Sequence, residues 1–420
     1  MGARLREART AAGLTQRDLS FPGCTPAYIS RIEAGARIPS YQILLRFAKR
    51  LGVSAQYLAT GKGSDGAEGG GFFDPLFEAE IALRLGDDER AAELYEEACQ
   101  SASSVAAVRA EVGLGQLALK RAEVETGVSL LEGALTNSAL PASDAALAGN
   151  ALGRAYAGQG RFEEAFAIFK RFLAEGKERG DQFEVLRFSV LLANAYIDSG
   201  DFMRAQEVLS DVLDLARKAV DPMLRASLYW SQSRLYSSQG KPDLAAEYAQ
   251  MTIAILKASE HTIEAARSLL LLAHIENDRG NPSAALELVE EGEPIVAAAG
   301  ERADEAMFVI ERARALDALG GSEEAAGLLL GALAHLNDVS RKSAGHAYAE
   351  VAQFFRAHGD SARALELYQL AAERFETPDR QLAEVLTAMA EIHEQEGRPE
   401  QALQLLKEAV RAQSGAASLQ

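Results

Sequence analysis

From Phe72 onward, apolar residues recur three and four positions apart, and no stretch alternates apolar and polar residues as a half-buried strand would. The pattern predicts amphipathic helices throughout. It is punctuated by a small residue, a five-residue step and a second small residue: Gly86/Ala91, Ala122/Gly127 (a degenerate copy), Gly160/Ala165, Gly200/Ala205, Gly240/Ala245, Gly280/Ala285, Gly320/Ala325, Gly359/Ala364 and Gly397/Ala402. From Gly160 to Gly320 the period is 40 residues each time. Seven positions before each turn the residue is small again: Ala79, Gly115, Gly153, Ala193, Ser233, Ala273, Ala313, Ala352 and Ala390. Small residues at fixed places let the two helices of a pair approach closely, and stacked pairs then bury one continuous core. The expectation is an all-α chain whose body is an α-solenoid of about nine helix pairs.

The first sixty residues have no such period. Thr15 to Gly35, TQRDLSFPGCTPAYISRIEAG, reads as two short helices around a tight turn. Thr15 and Asp18 form a variant capping box for the first helix, and Pro22 and Gly23 end it. Thr25 is a second N-cap, with Pro26 at the first helical position, where a missing N–H costs least. Ile29 and Ile32 then point inward, leaving Ala27, Tyr28, Ser30 and Arg31 on or near the outer face. Ser40 and Ser54 start further helices, and helix one spans roughly Ala3 to Ala12. Two helices crossing over a short turn, the second with an exposed polar face, make a helix-turn-helix that reads DNA.

The motifs LREARTAAGLTQRDL, YISRIEAGARIPS and LLRFAKRLGVSAQYL resemble the Cro/Xre type of helix-turn-helix domain, a five-helix bundle. The FPGC turn is one residue shorter than usual for that family. The resemblance implies an Arg9–Glu33 pair, phosphate contacts from Thr15 and Gln16, and base contacts from the positions of Pro26 and Ala27, which are apolar here and meet only a thymine methyl. Arg31 is the base-reading candidate on chemistry alone, because a guanidinium bonds guanine O6 and N7 together. Arg17, Tyr28 and Arg37 add phosphate contacts, and Thr25 completes the expected DNA interface. In the body, ALGRAYAGQGRFEEAFAIF and LLANAYIDSGDFMRAQEVL resemble the tetratricopeptide repeat, whose usual period is 34. Stretched repeats of this kind also occur in the peptide-sensing RRNPP-type regulators of Gram-positive bacteria. Those dimerise through their repeats and bind peptides in the concave groove.

Charge divides the chain the same way. The net charge is −18, yet residues 1–60 hold nine Lys/Arg against three acids, so the head is basic and the body strongly acidic. Gly61 to Gly71, GKGSDGAEGGG, separates them as a flexible linker, giving domains 1–60, 61–71 and 72–420. Its incidental G-x-G-x-x-G lacks the strand and helix a dinucleotide fingerprint needs. Cys24 and Cys99 make no disulfide framework, and Cys24 reads as a small hydrophobe in the turn. No apolar run spans a bilayer, so a cytoplasmic location and no membrane partner are expected. The sequence has no P-loop, H-E-x-x-H or G-x-S-x-G, and its six histidines lack metal-ligand spacing, so neither catalysis nor a cofactor is expected.

In tetratricopeptide repeats the first helix of each pair lines the groove. Six residues before the turns stand Glu80, Gln116, Arg154, Asn194, Arg234, His274, Arg314, Gln353 and Glu391, all polar, with acids only at the ends. The central arginines suit a carboxylate. Asn150, Asn194 and Asn277 suit a peptide backbone, and Trp230 lies one turn before Arg234 on the same face. The expected function is a transcriptional regulator that binds a two-fold site on double-stranded DNA, takes a peptide or small-molecule ligand in its groove, and is a homodimer through its repeats. The alternative is a protein-interaction scaffold or antitoxin-like partner.

Overall fold

The structure, a computed structural model, describes residues 2–21, 24–34, 39, 41–53, 57–58, 75–85, 88–101, 103–218, 221–259, 261–333, 336, 341–375 and 380–414. They divide into two units, Met1–Ala118 with Asn137–Leu140, and Leu119–Thr136 with Pro141–Gln420. Among the described residues every regular element is a helix, and the one β-type pairing is an isolated bridge between Phe21 and Cys24. Pro22, Gly23, Arg37, Ser40, Ser54 and the linker 61–71 lie outside the described residues, as does the side chain of Ala27.

The head consists of Gly2–Ala11, Gln16–Leu19, Pro26–Glu33 and Tyr41–Leu51, with Tyr57 and Leu58 also helical. Leu5, Leu19, Ile29, Ile32, Phe47 and Leu58 are fully buried between them. The two N-caps form as expected. Thr15 Oγ1 accepts the Asp18 N–H at 3.1 Å while the Asp18 carboxylate accepts the Thr15 N–H at 2.9 Å. Thr25 Oγ1 accepts the Tyr28 N–H at 3.3 Å. The shortened turn is closed by its flanks: Phe21 and Cys24 exchange backbone hydrogen bonds of 3.1 and 2.8 Å. Arg50 Nη1 donates to the carbonyls of Leu19 and Ser20 at 3.2 and 2.7 Å, capping the helix that ends there. Cys24 is buried, and burial pushes its thiol up, so it stays a protonated apolar filler.

Among the described residues nine helix pairs follow in chain order. The central five are Ala142–Gly158 with Phe162–Arg179, Gln182–Ser199 with Phe202–Lys218, Pro222–Ser238 with Pro242–Ala258, Thr262–Asp278 with Pro282–Ala299, and Arg302–Ala318 with Ser322–Leu333. The repeated glycine turns the chain between partners. Gly160, Gly200, Gly240, Gly280 and Gly320 have φ between 68° and 91°, a left-handed conformation that glycine adopts without steric cost. In the degenerate copy Ala122 takes that role at φ 61°. The alanines five residues on (Ala165, Ala205, Ala245, Ala285, Ala325) are all fully buried. Small residues admit close partners. A Cβ on Gly149 would sit 2.0 Å from the Phe172 ring, and one on Gly153 would sit 2.3 Å from Phe169. Where serine replaces alanine at position 233, its buried hydroxyl donates to the Ala245 carbonyl at 2.8 Å. Rings join successive pairs, with centroids 5.1 Å apart for Phe172/Phe188 and 4.3 Å for Phe166/Tyr196. No helix among the described residues is long and apolar enough to cross a membrane.

Candidate functional site

In the head, the expected recognition helix Pro26–Glu33 turns Ile29 and Ile32 into the core and leaves Pro26, Ser30 and Arg31 exposed. Its angle is fixed from the far end. Arg9 Nε and Nη2 donate to the two Glu33 carboxylate oxygens at 2.6 and 2.9 Å, and the side chains are only 11% and 5% exposed. Gln16 Nε2 donates to the same carboxylate at 2.8 Å. Burial pushes Glu33 up, but the hydrogen bonds from Arg9 and Gln16 outweigh it and hold the carboxyl below its ordinary value. Gln16, expected at a phosphate, is thus half-buried and ties the two helices together. Thr15, Arg17 and Thr25 are exposed, and Tyr28 packs partly against the head core.

In the body, first helices lie side by side, so residues 40 apart meet. Arg234 Nη2 donates to Asp198 at 2.7 Å, its Nη1 lies 3.5 Å from Asn194 Oδ1, and its guanidinium sits 4.9 Å from the Trp230 ring centroid. Eighty residues on, two repeats later, the arrangement recurs with one addition. Arg314 donates to Asp278 at 2.7 Å and to Glu311 at 3.0 Å. His274 Nδ1 donates to Glu311 at 2.8 Å, and Asn277 Nδ2 donates to the carboxylate and backbone carbonyl of Glu311 at 2.8 and 3.0 Å. Glu311 is only 2% exposed. Burial pushes it up, yet His274, Arg314 and Asn277 hold its carboxyl below the ordinary range. Burial likewise lowers His274, and Glu311 and Asp278 more than reverse this.

The row of groove arginines is therefore not a row of open cations. Arg234 and Arg314 are neutralised by Asp198 and Asp278, four residues after Asn194 and His274. The sequence carried that signal, since the two aspartates are 80 apart, two repeats, and each lies 36 before an arginine. At the corresponding place before Arg154, four residues after Gln116, stands Lys120.

Arg154, Asn194, Trp230 and Arg234 line one cavity of 630 Å³, and Arg234 and His274 also line a second of 1290 Å³ with Glu350. Asn150, Asn277 and Arg314 line neither, and among the described residues the buried Asn150 Oδ1 has no hydrogen-bond partner. Burial pushes Glu350 up despite nearby Arg314 and His274. Among the described residues no group of three His, Cys, Asp or Glu side chains is placed to hold a metal ion.

Residues 1–60 match a helix-turn-helix domain family, and residues 112–179, 190–260 and 343–414 match tetratricopeptide-repeat families. The chain carries a helix-turn-helix head and a tetratricopeptide body. A solved structure of a Rap protein complexed with competence and sporulation factor shares 14% identity, covers 93% of this chain and all of its own, and superposes with a TM-score of 0.57. That likeness is one of fold. The structure of NprR in complex with its cognate peptide NprX shares 14% identity over 63% of this chain and 77% of its own, with a TM-score of 0.44. A curated relative, cellulose synthase operon protein C of Xanthomonas axonopodis pv. citri (strain 306), is 29% identical over 187 residues, 44% of this chain. The chain spans 12% of that relative's length. The tetratricopeptide body thus stands on matched repeats, glycine turns and small-residue packing together.

Proposed function

We propose that this chain is a sequence-specific DNA-binding regulator of the Cro/Xre kind, whose tetratricopeptide groove takes a short peptide or similar small ligand. The observation that carries it is the recognition helix, locked by Arg9, Glu33 and Gln16 and turning Arg31 outward from a basic head. A rigidly held helix with an exposed guanidinium suits base readout, and Thr15, Arg17 and Thr25 flank it for phosphates. The two cavities on the first helices support a ligand role for the body, and the linker 61–71 separates the two tasks. Selection of bound duplexes from a random pool tests this. Wild type enriches a sequence with two-fold symmetry, and Arg31→Ala binds duplex but enriches none. Equal enrichment by both overturns the assignment.

A homodimer through the repeats fits the last helix, Pro399–Ser414, where Leu403, Leu406 and Val410 are 54%, 42% and 59% exposed. They form one stripe at helical spacing, flanked by Glu400, Lys407 and Arg411. Antiparallel pairing with a second copy about Leu406 sets Leu403 against Val410 and Glu400 against Arg411, so both shape and charge are self-complementary. Two heads on one site then supply the affinity that a single small head lacks.

A further inference from the structure

The 630 Å³ cavity has an apolar floor of Phe169, Val190 and Leu256, with Met223 and Trp230 on its walls. Its charged groups divide sharply. Arg234 and Asp198 hold each other at 2.7 Å, and Arg267 is held by Asp304 and Glu301 at 2.7 and 3.0 Å. Among the described residues Arg154 and Glu264 make no side-chain hydrogen bond or ion pair, although Arg267, one turn from Glu264, lies near enough to feel its charge. One open cation and one open anion therefore stand at opposite limits of a single apolar trough.

Their separation sets the size of what bridges them. Arg154 is on Ala142–Gly158 and Glu264 on Thr262–Asp278, with the first helices Gln182–Ser199 and Pro222–Ser238 packed between. Packed helix axes lie about 8–10 Å apart, so three steps amount to roughly 25 Å. A single amino acid cannot reach both groups. An extended chain advances about 3.3–3.6 Å per residue, so a peptide of about seven residues can.

We infer that the cavity takes a predominantly apolar peptide of about seven residues, free at both ends, with its C-terminal carboxylate on Arg154 and its N-terminal ammonium at Glu264. This rests on the ligand-binding reading above and adds the direction and end chemistry of the ligand. The planar fork of Arg154 donates two parallel hydrogen bonds to a carboxylate. Glu264 accepts the three donors of an ammonium, while side chains on one edge of the peptide settle on the floor. Arg234 stays with Asp198 and contributes its face to Trp230 instead of a free charge.

The test uses the full chain and a mixture of heptapeptides drawn from Ala, Val, Leu, Phe, Ser and Gly. The mixture is prepared in four forms: free at both ends, acetylated, amidated, and blocked at both. Bound peptide is recovered by ultrafiltration and quantified by mass spectrometry, with Trp230 emission read in parallel. Free peptides are captured at least about tenfold better than either single-blocked form, the scale of a charge-assisted hydrogen bond. Arg154→Ala then captures amidated and free C-termini equally but still prefers a free N-terminus, and Glu264→Gln does the reverse. Both variants keep the wild-type circular dichroism. If all four forms bind equally and shift Trp230 emission, the end assignment fails while the groove-ligand reading stands. If either substitution erases both preferences together, the end assignment also fails. No capture of any form overturns both.

Discussion

Replacing Glu311 should unsettle the body more than any surface acid, and the structure gives the size of the effect. Its carboxylate is 2% exposed and accepts from His274, Asn277 and Arg314 at 2.8, 2.8 and 3.0 Å. Removing one partner of a buried charge network typically costs about 3–5 kcal/mol, because the remaining charges stay buried unpaired. Two contacts survive the loss. Asp278 stays with Arg314 at 2.7 Å and near His274 at 3.4 Å, so Glu311→Ala belongs at the lower end, about 3 kcal/mol. Glu175→Ala is the control: its i,i+4 pair with Arg171 is 38% and 50% exposed and contributes under about 0.5 kcal/mol. Urea unfolding of the full chain, followed by far-UV circular dichroism and Trp230 emission, measures both.

The effect also has a pH signature. Glu311 is held below its ordinary 4.5, so its contribution is present above that value and lost as pH falls through the depressed one. His274 is held above its ordinary 6.5, so its contribution is present below that value and lost as pH rises through the raised one. The gap between wild type and Glu311→Ala is therefore widest between 4.5 and 6.5 and narrows on both sides. Glu350, raised by burial, runs the other way, but it does so in both proteins and largely cancels. A gap no larger than that of Glu175→Ala, or one flat across pH, refutes the reasoning.

Gly153→Ala places a methyl 2.3 Å from the Phe169 ring and should lower stability by about 1–3 kcal/mol, read as a shift in the urea midpoint. Ala122→Gly relieves a non-glycine residue at φ 61° and should raise stability by about 1 kcal/mol in the same assay. Glu33→Ala leaves Arg9 half-buried without its carboxylate and frees Gln16; it should weaken binding to the selected duplex by more than about tenfold, measured by fluorescence anisotropy. Leu406→Glu puts a charge in the exposed stripe of the last helix, and light scattering should find a monomer where wild type is a dimer.

Local chemistry made much of this legible in the sequence. Thr15, Asp18 and Thr25 make cap bonds to partners three residues away, so spacing alone identified them. The glycines at 160 to 320 fall where a left-handed turn requires them, and their 40-residue period gave the pairing of the helices. What sequence position did not convey is which charges meet. Arg154, Arg234 and Arg314 look alike at equivalent repeat positions, yet two meet an aspartate from the preceding first helix and one does not. Glu311 resembles any acid on a repeat helix until His274, Asn277 and Arg314 close on it and leave it almost no solvent. Gln16 illustrates the same limit: position along the helix places it near a phosphate, whereas the Glu33 carboxylate claims its amide.

The central claim is that one chain couples DNA readout by the head to ligand binding in the groove. It is tested most directly by the affinity for the selected duplex, measured by fluorescence anisotropy with and without the free-ended heptapeptide mixture, in wild type and in Arg154→Ala. Coupling between two sites is typically worth about 1–3 kcal/mol, or 5–150-fold. The account predicts at least a fivefold change in duplex affinity for wild type and a smaller one for Arg154→Ala at the same subsaturating peptide concentration, with equal affinity of the two proteins in the absence of peptide. Peptide that binds the body while leaving duplex affinity unchanged in wild type would contradict it.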